Sequence, residues 1–259
     1  MTKKYRQLLG ISVILTVLIV KHFSERINQI LWNDKAAEHF YWSITGQILY
    51  YLLPVFIILF IFHKPSQVLS ELGFNQGFFK GVSMAFIFTL PMLIGYYLLG
   101  HYNHDYSFIK NISFAFKDGL REEIFYRAFL FGQLFRQVKL GFIPAVAING
   151  LIFGISHLYQ AHSLVESAGV FAVTFAGAIW FAWLYTEWNN NIWLPIWLHT
   201  FMNLYWDLFS NDQTALGGIM LNLPRVLTIA ISVYVTLRLI KKHLGTPIIN
   251  RANLLRNQD

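Results

Sequence analysis

Two adjacent carboxylates stand in the stretch Leu120-Arg121-Glu122-Glu123-Ile124-Phe125-Tyr126-Arg127. Glu123 and Arg127 are four apart, so on a helix they share a face and can pair. Glu122 lies about 100° round the helix from Glu123. One carboxylate can therefore be held by the arginine while its neighbour handles a proton, although spacing alone does not choose which is the base. Two later stretches carry further chemistry. In Phe153-Gly154-Ile155-Ser156-His157 an imidazole follows a phenyl ring by one helical turn, and in His199-Thr200-Phe201-Met202-Asn203 an imidazole and an amide share a face. Asp207 continues that stripe near the helix end and is read as structural. A base, a proton shuttle and hydrogen-bond donors for an oxyanion are the parts needed to hydrolyse an acyl bond with an activated water.

Each stretch alone has a plainer reading. The first could be a surface-lying helix with solvated charges. His157 could be an interfacial histidine, and His199 with Asn203 could supply the modest interhelical hydrogen bonds of membrane bundles. Three polar stretches on three helices of an apolar chain weaken those readings together, because intramembrane charge is costly and is normally functional.

The chain around them reads as a polytopic membrane protein. Of its 259 residues 56% are hydrophobic and 13% charged, about half the charge of an ordinary soluble domain. The expected fold class is all-α, with about eight transmembrane helices in one bundle. Candidate spans are 8–23, 41–62, 78–99, 120–135, 141–159, 164–185, 192–209 and 219–240, with Asp118 as a possible N-cap of the fourth and Asn189-Asn190-Asn191 as the turn before the seventh. The first span, behind Lys3, Lys4 and Arg6, is expected to be retained, since no small-residue cleavage site follows it. Residues 1–240 form the expected bundle, with a catalytic core at about 116–209. Residues 241–259 form a polar, poorly ordered, cytoplasmic tail.

The formal net charge of +7 falls mostly between and beyond apolar runs. It fits topology and anionic headgroups, not nucleic acid. Both termini are expected in the cytoplasm. Lys64, Lys80, Arg136 and Lys139 agree with that count, and Lys21, Arg26 and Lys35 oppose it. No cysteine is present, which excludes disulfides, thiolate catalysis and Cys-ligated metals. With these boundaries, Glu122 and His157 lie near helix ends, whereas His199 lies about 10 Å into its helix from the opposite side.

Glu-Glu-x-x-x-Arg at 122–127, Phe-x-x-x-His at 153–157 and His-x-x-x-Asn at 199–203, in this order, resemble the three signature motifs of the CPBP family of intramembrane endopeptidases. That family groups type II CAAX prenyl proteases with bacteriocin-processing and immunity (Abi) proteins. One departure is Ala128, where many members place glycine. The resemblance implies Glu122 as general base working with His157 on a water, His199 and Asn203 as oxyanion donors, and Glu123, Arg127 and Phe153 in support. It implies an expected membrane-associated peptide or protein substrate, prenylated or a pheromone or bacteriocin precursor; the Lys-, Asn-, Ile- and Phe-rich composition suggests an AT-rich bacterial genome and so a bacterial cell membrane. No cofactor is favoured. Zinc on Glu122, His157 and His199 is the close alternative, although no His-Glu-x-x-His is present. Two rival functions are a non-catalytic immunity or scaffold protein of the same fold and a proton-coupled transporter. The transporter lacks the expected internal repeat.

Overall fold

The computed structural model describes residues 2–32, 40–104, 107–209, 214–243 and 245–257. Lys35, one of the charges opposing the orientation count, lies outside them. Eight long helices follow one another: α1 Lys3–Trp32, α2 Phe40–Phe62, α3 Phe78–Leu99, α4 beginning Phe108–Glu122, α5 Phe142–Ile155, α6 Leu164–Glu187, α7 Trp193–Phe209 and α8 Ile219–His243. The all-α membrane architecture is therefore as the sequence predicts. Among the described residues six helices are long and apolar enough to cross a membrane, within α1, α2, α3, α5, α6 and α8. The other two, α4 and α7, carry five of the charged and polar motif residues.

The fourth helix begins twelve residues earlier than its hydropathy suggests, at Phe108. Lys110, Asn111, Ser113 and Lys117 dilute the apolar signal there, but Ile112, Ala115, Phe116 and Gly119 keep helical spacing. Those four residues are buried or half-buried. Asp118 is accordingly not an N-cap. It lies mid-helix and pairs with Lys117 at 3.2 Å and Arg121 at 3.0 Å. This correction also removes the mismatch in depth: Glu122 sits near the middle of α4, not at its start, beside Glu123, which bonds His199 at 2.8 Å inside the bundle.

From Glu123 the helix widens to π geometry over Glu123–Phe131 and Gln133–Gln137. The Gly132 N–H donates to the Arg127 carbonyl five residues back, and Val138 N–H does the same to Gln133 at 2.9 Å. Such register shifts are rare and concentrate at functional sites. Every residue from Glu123 to Phe131 is buried, and this stretch touches α1, α2, α5, α6 and α7. Packing on all sides, not local propensity, holds the register. Ala128, which stands where a glycine was expected, is fully buried without exposure. At its far end the π stretch is anchored by Glu71, whose carboxylate accepts from Gln137 at 2.9 and 3.0 Å and faces Arg136 at 3.6 Å.

Helix α7 lies between α3 and α4, while α5 pairs with α6 and α1 with α2. The α4–α7 crossing is tight at Gly119: a Cβ there would stand 2.6 Å from Thr200 Oγ1 and 2.7 Å from the Ile196 carbonyl. Asn189 and Asn190 take left-handed φ angles of 58° and 57°, as asparagines tolerate in turns. The Asn191 side chain then accepts the Trp193 N–H at 3.0 Å and caps α7.

The tail is not loosely ordered as expected. Glu187, at the end of α6, accepts the Ile248 and Ile249 N–H groups at 2.9 Å each. Phe142 and Ile143 N–H, orphan donors at the start of α5, reach Asn253 and Leu254 carbonyls at 2.9 Å. The tail has polar composition, but its backbone groups supply partners that buried helix ends need.

Candidate active site

Glu123 has no exposed surface and Arg127 only 2%, and Arg127 Nε stands 3.1 Å from Glu123 Oε2. The contact is an ion pair and not an aligned hydrogen bond. Its second oxygen, Oε1, accepts from His199 Nδ1 at 2.8 Å. The guanidinium lies over two rings, 4.3 Å from the Phe153 centroid and 5.1 Å from that of Phe181, a favourable use of the aromatic faces. Phe181 also lies 5.9 Å from the His199 ring. The sealed half of the site is thus one carboxylate shared by an arginine and a histidine.

Glu122, His157 and His199 keep about 15% of their side chains accessible. Glu122 Oε1 accepts from Arg121 Nη2 at 2.8 Å, and its Oε2 faces His157 Nε2 at 4.0 Å. His157 lies just beyond the end of α5, which stops at Ile155, and its Nδ1 stands 2.7 Å from the Phe153 carbonyl. A carbonyl can only accept, so Nδ1 carries a proton; in the neutral ring Nε2, which faces Glu122, is then the acceptor. The Phe153 ring packs on the imidazole at 4.3 Å between centroids. Ser156 Oγ donates to the same carbonyl at 2.8 Å and lies 3.2 Å from Tyr126 Oη.

The fold therefore brings together Glu122, Glu123, Arg127, Phe153, His157 and His199. Asn203 lies one turn beyond His199, half-buried, with no hydrogen bond to another described residue. Asp207 is further along α7 and offers its backbone carbonyl to Asn103 at 3.3 Å. The residues that sequence reasoning passed over are Arg121 and its support, Gln47. Adjacent residues do not share a helix face, so no spacing rule pointed to an Arg121–Glu122 pair.

As a zinc site the three donors fit in type but not in placement. Both histidines are anchored through Nδ1, as metal-binding histidines commonly are, yet no three His, Asp or Glu side chains among the described residues are disposed to hold a metal ion. What the arrangement does offer is two acceptors, Glu122 Oε2 and His157 Nε2, at a spacing that one water can bridge from the side.

All three motifs lie inside a longer segment of recognised sequence. Residues 104–205 match the family model described as type II CAAX prenyl endopeptidase Rce1-like. The resemblance drawn from the motifs is borne out over that segment. The chain is also 37% identical over 84 residues to "Putative membrane peptidase YdiL" of Bacillus subtilis (strain 168). That match covers 32% of this chain and 30% of the relative. Helices α1, α2, α3 and α8 lie outside the Rce1-like segment.

Proposed function

We propose that the protein is an intramembrane endopeptidase that hydrolyses a peptide bond in a membrane-associated protein or peptide precursor. The observation that carries this reading is the facing pair of Glu122 Oε2 and His157 Nε2 at 4.0 Å, each fixed by a bond to its other polar atom. The Rce1-like match over residues 104–205 supports the same reaction class.

In the proposed step a water hydrogen-bonds both groups. Glu122 takes its proton while the oxygen attacks the scissile carbonyl carbon. The carbonyl oxygen becomes an oxyanion. With Nδ1 given to the Glu123 carboxylate, His199 can donate from Nε2 only as an imidazolium, and the buried anion beside it favours that form. Asn203, one turn on, supplies the second donor. Collapse of the tetrahedral species expels the amine, which receives the proton that Glu122 took from the water. Oxyanion donors in a dry site lower such barriers by about 3–4 kcal/mol each. No step passes through a metal.

The substrate is proposed to be a short precursor, of the pheromone or bacteriocin kind or a prenylated protein, delivered from the lipid phase. Both termini are proposed to lie in the cytoplasm. The test is comparative membrane peptidomics of cells carrying the wild-type protein or Glu122→Ala, repeated on membranes stripped with a strong chelator. A cleavage product present only with wild type, and persisting after chelation, is the expected result. No product difference would overturn the peptidase reading, and loss on chelation restored by zinc would overturn the metal-free step.

A further inference from the structure

We infer that Arg121 is a positioning residue for Glu122, and that Gln47 and Tyr51 of α2, outside the Rce1-like segment, hold it in place. The inference rests on the hydrolytic reading above and extends it to a helix that carries no motif.

Arg121 makes four contacts on two helices. Its Nη2 meets Glu122 Oε1 at 2.8 Å and Asp118 Oδ1 at 3.0 Å. Its Nη1 donates to Gln47 Oε1 at 3.2 Å. Its central carbon lies 4.7 Å from the Tyr51 ring centre. Gln47 and Tyr51 are one turn apart on α2, so a single face of that helix presents both an acceptor and a ring to one guanidinium. Gln47 Oε1 also accepts Lys117 Nζ at 3.1 Å, and Lys117 pairs with Asp118. Two cations and two carboxylates thus close a neutral cluster.

A headgroup-seeking arginine would leave its charge in water. This one is 15% exposed, lies against a ring and is bonded through both terminal nitrogens. The effect falls on one atom. With Oε1 occupied, the Glu122 carboxylate cannot turn freely, and Oε2 is presented to His157. Removing Arg121 frees the carboxylate to rotate and leaves Lys117 as the cluster's only cation.

The test uses the full chain in lipid nanodiscs and, as substrate, the synthetic precursor of the product that distinguishes wild type from Glu122→Ala. Arg121→Gln should lower kcat about 100-fold, the scale of a misplaced reacting group, with KM nearly unchanged. Arg121→Lys should lose less, and Gln47→Ala about tenfold. Millimolar guanidinium ion should partly restore Arg121→Ala, which a purely structural role would not permit. Wild-type kcat in Arg121→Gln, or no rescue by guanidinium, would overturn the inference. A second readout needs no substrate. The carboxylate stretch that vanishes from the infrared spectrum in Glu122→Gln should shift in Arg121→Gln. An unmoved band overturns the positioning role even if no cleavage product is found, a failure that would belong to the peptidase reading instead.

Discussion

Glu123 has no exposed surface and is shared by Arg127 at 3.1 Å and His199 at 2.8 Å, whereas Glu122, one residue earlier, keeps 15% of its side chain accessible beside His157. Burial decides how the pair is divided. A carboxylate with no accessible surface cannot meet a water, so the base proposed above is Glu122. The division has a stability signature. Arg127→Ala strands a buried carboxylate, and breaking a buried pair from one side costs about 3–5 kcal/mol. Glu122→Gln keeps an acceptor for Arg121, which also retains Asp118 and Gln47, and should cost about 1 kcal/mol. Thermal unfolding of the purified protein in detergent should therefore show a large drop for Arg127→Ala and a small one for Glu122→Gln, while both lose cleavage. Equal losses of stability would mean that the two glutamates are not divided in this way. The Glu123–Arg127 half of the site was legible because i, i+4 pairing is a local rule. The Arg121–Glu122 half was not, since its geometry depends on Gln47 and Tyr51, about 70 residues away in sequence.

At the scale of the helix, distance between motifs is set by where α4 and α7 cross. Gly119 lies one turn before Glu123, and Thr200 follows His199, so the contact of Gly119 with Thr200 and Ile196 sets how close the Glu123–His199 pair can come. A side chain at this point must push the helices apart. Gly119→Ala, →Val and →Leu should reduce cleavage progressively, with Leu losing about 100-fold, because a shift of about 1 Å in a reacting group is expensive. Overpacking should cost only about 1–3 kcal/mol of stability. Initial cleavage rates compared with melting temperatures check this. A Leu variant with wild-type rate would show that the crossing does not control the site. Element types were readable from apolar runs, and the Asn189-Asn190-Asn191 turn from its composition. The π register was not, because residues four apart meet in either helix and the motif spacing cannot separate them. The start of α4 was hidden by Lys110, Asn111 and Lys117, although its stripe of Ile112, Ala115, Phe116 and Gly119 was present in the letters.

Across the whole molecule, the C-terminal segment ties together three parts of the site's frame. Glu187 is 4% exposed and has its two oxygens bonded to the Ile248 and Ile249 N–H groups. Asn253 and Leu254 carbonyls take the first N–H groups of α5, and Asn257 Nδ2 donates to the Phe135 carbonyl at the end of the π stretch, at 2.9 Å. Composition suggested a loose tail because no apolar run marks it; the bonds that order it are mostly backbone bonds, which side-chain patterns do not report. Helix α6, which the tail braces at Glu187, carries Phe181, a ring against both Arg127 and His199. Truncation after His243 would leave a buried carboxylate without donors and the start of α5 uncapped. Hydrogen bonds to a charged group contribute about 1.5–3 kcal/mol each, so the truncated protein should melt well below the full chain. Glu187→Gln, which retains one acceptor oxygen, should fall between them. Protease applied to the folded full-length protein should cut the tail slowly, and in Glu187→Ala quickly. Because no described residue of the tail bonds to a motif residue, the surviving folded fraction should cleave substrate at close to the wild-type rate per molecule. A truncated protein that melts like the full chain would show that the Glu187 bonds do not brace α6, and a large loss of rate at unchanged stability would place the tail's effect on the site instead of the frame.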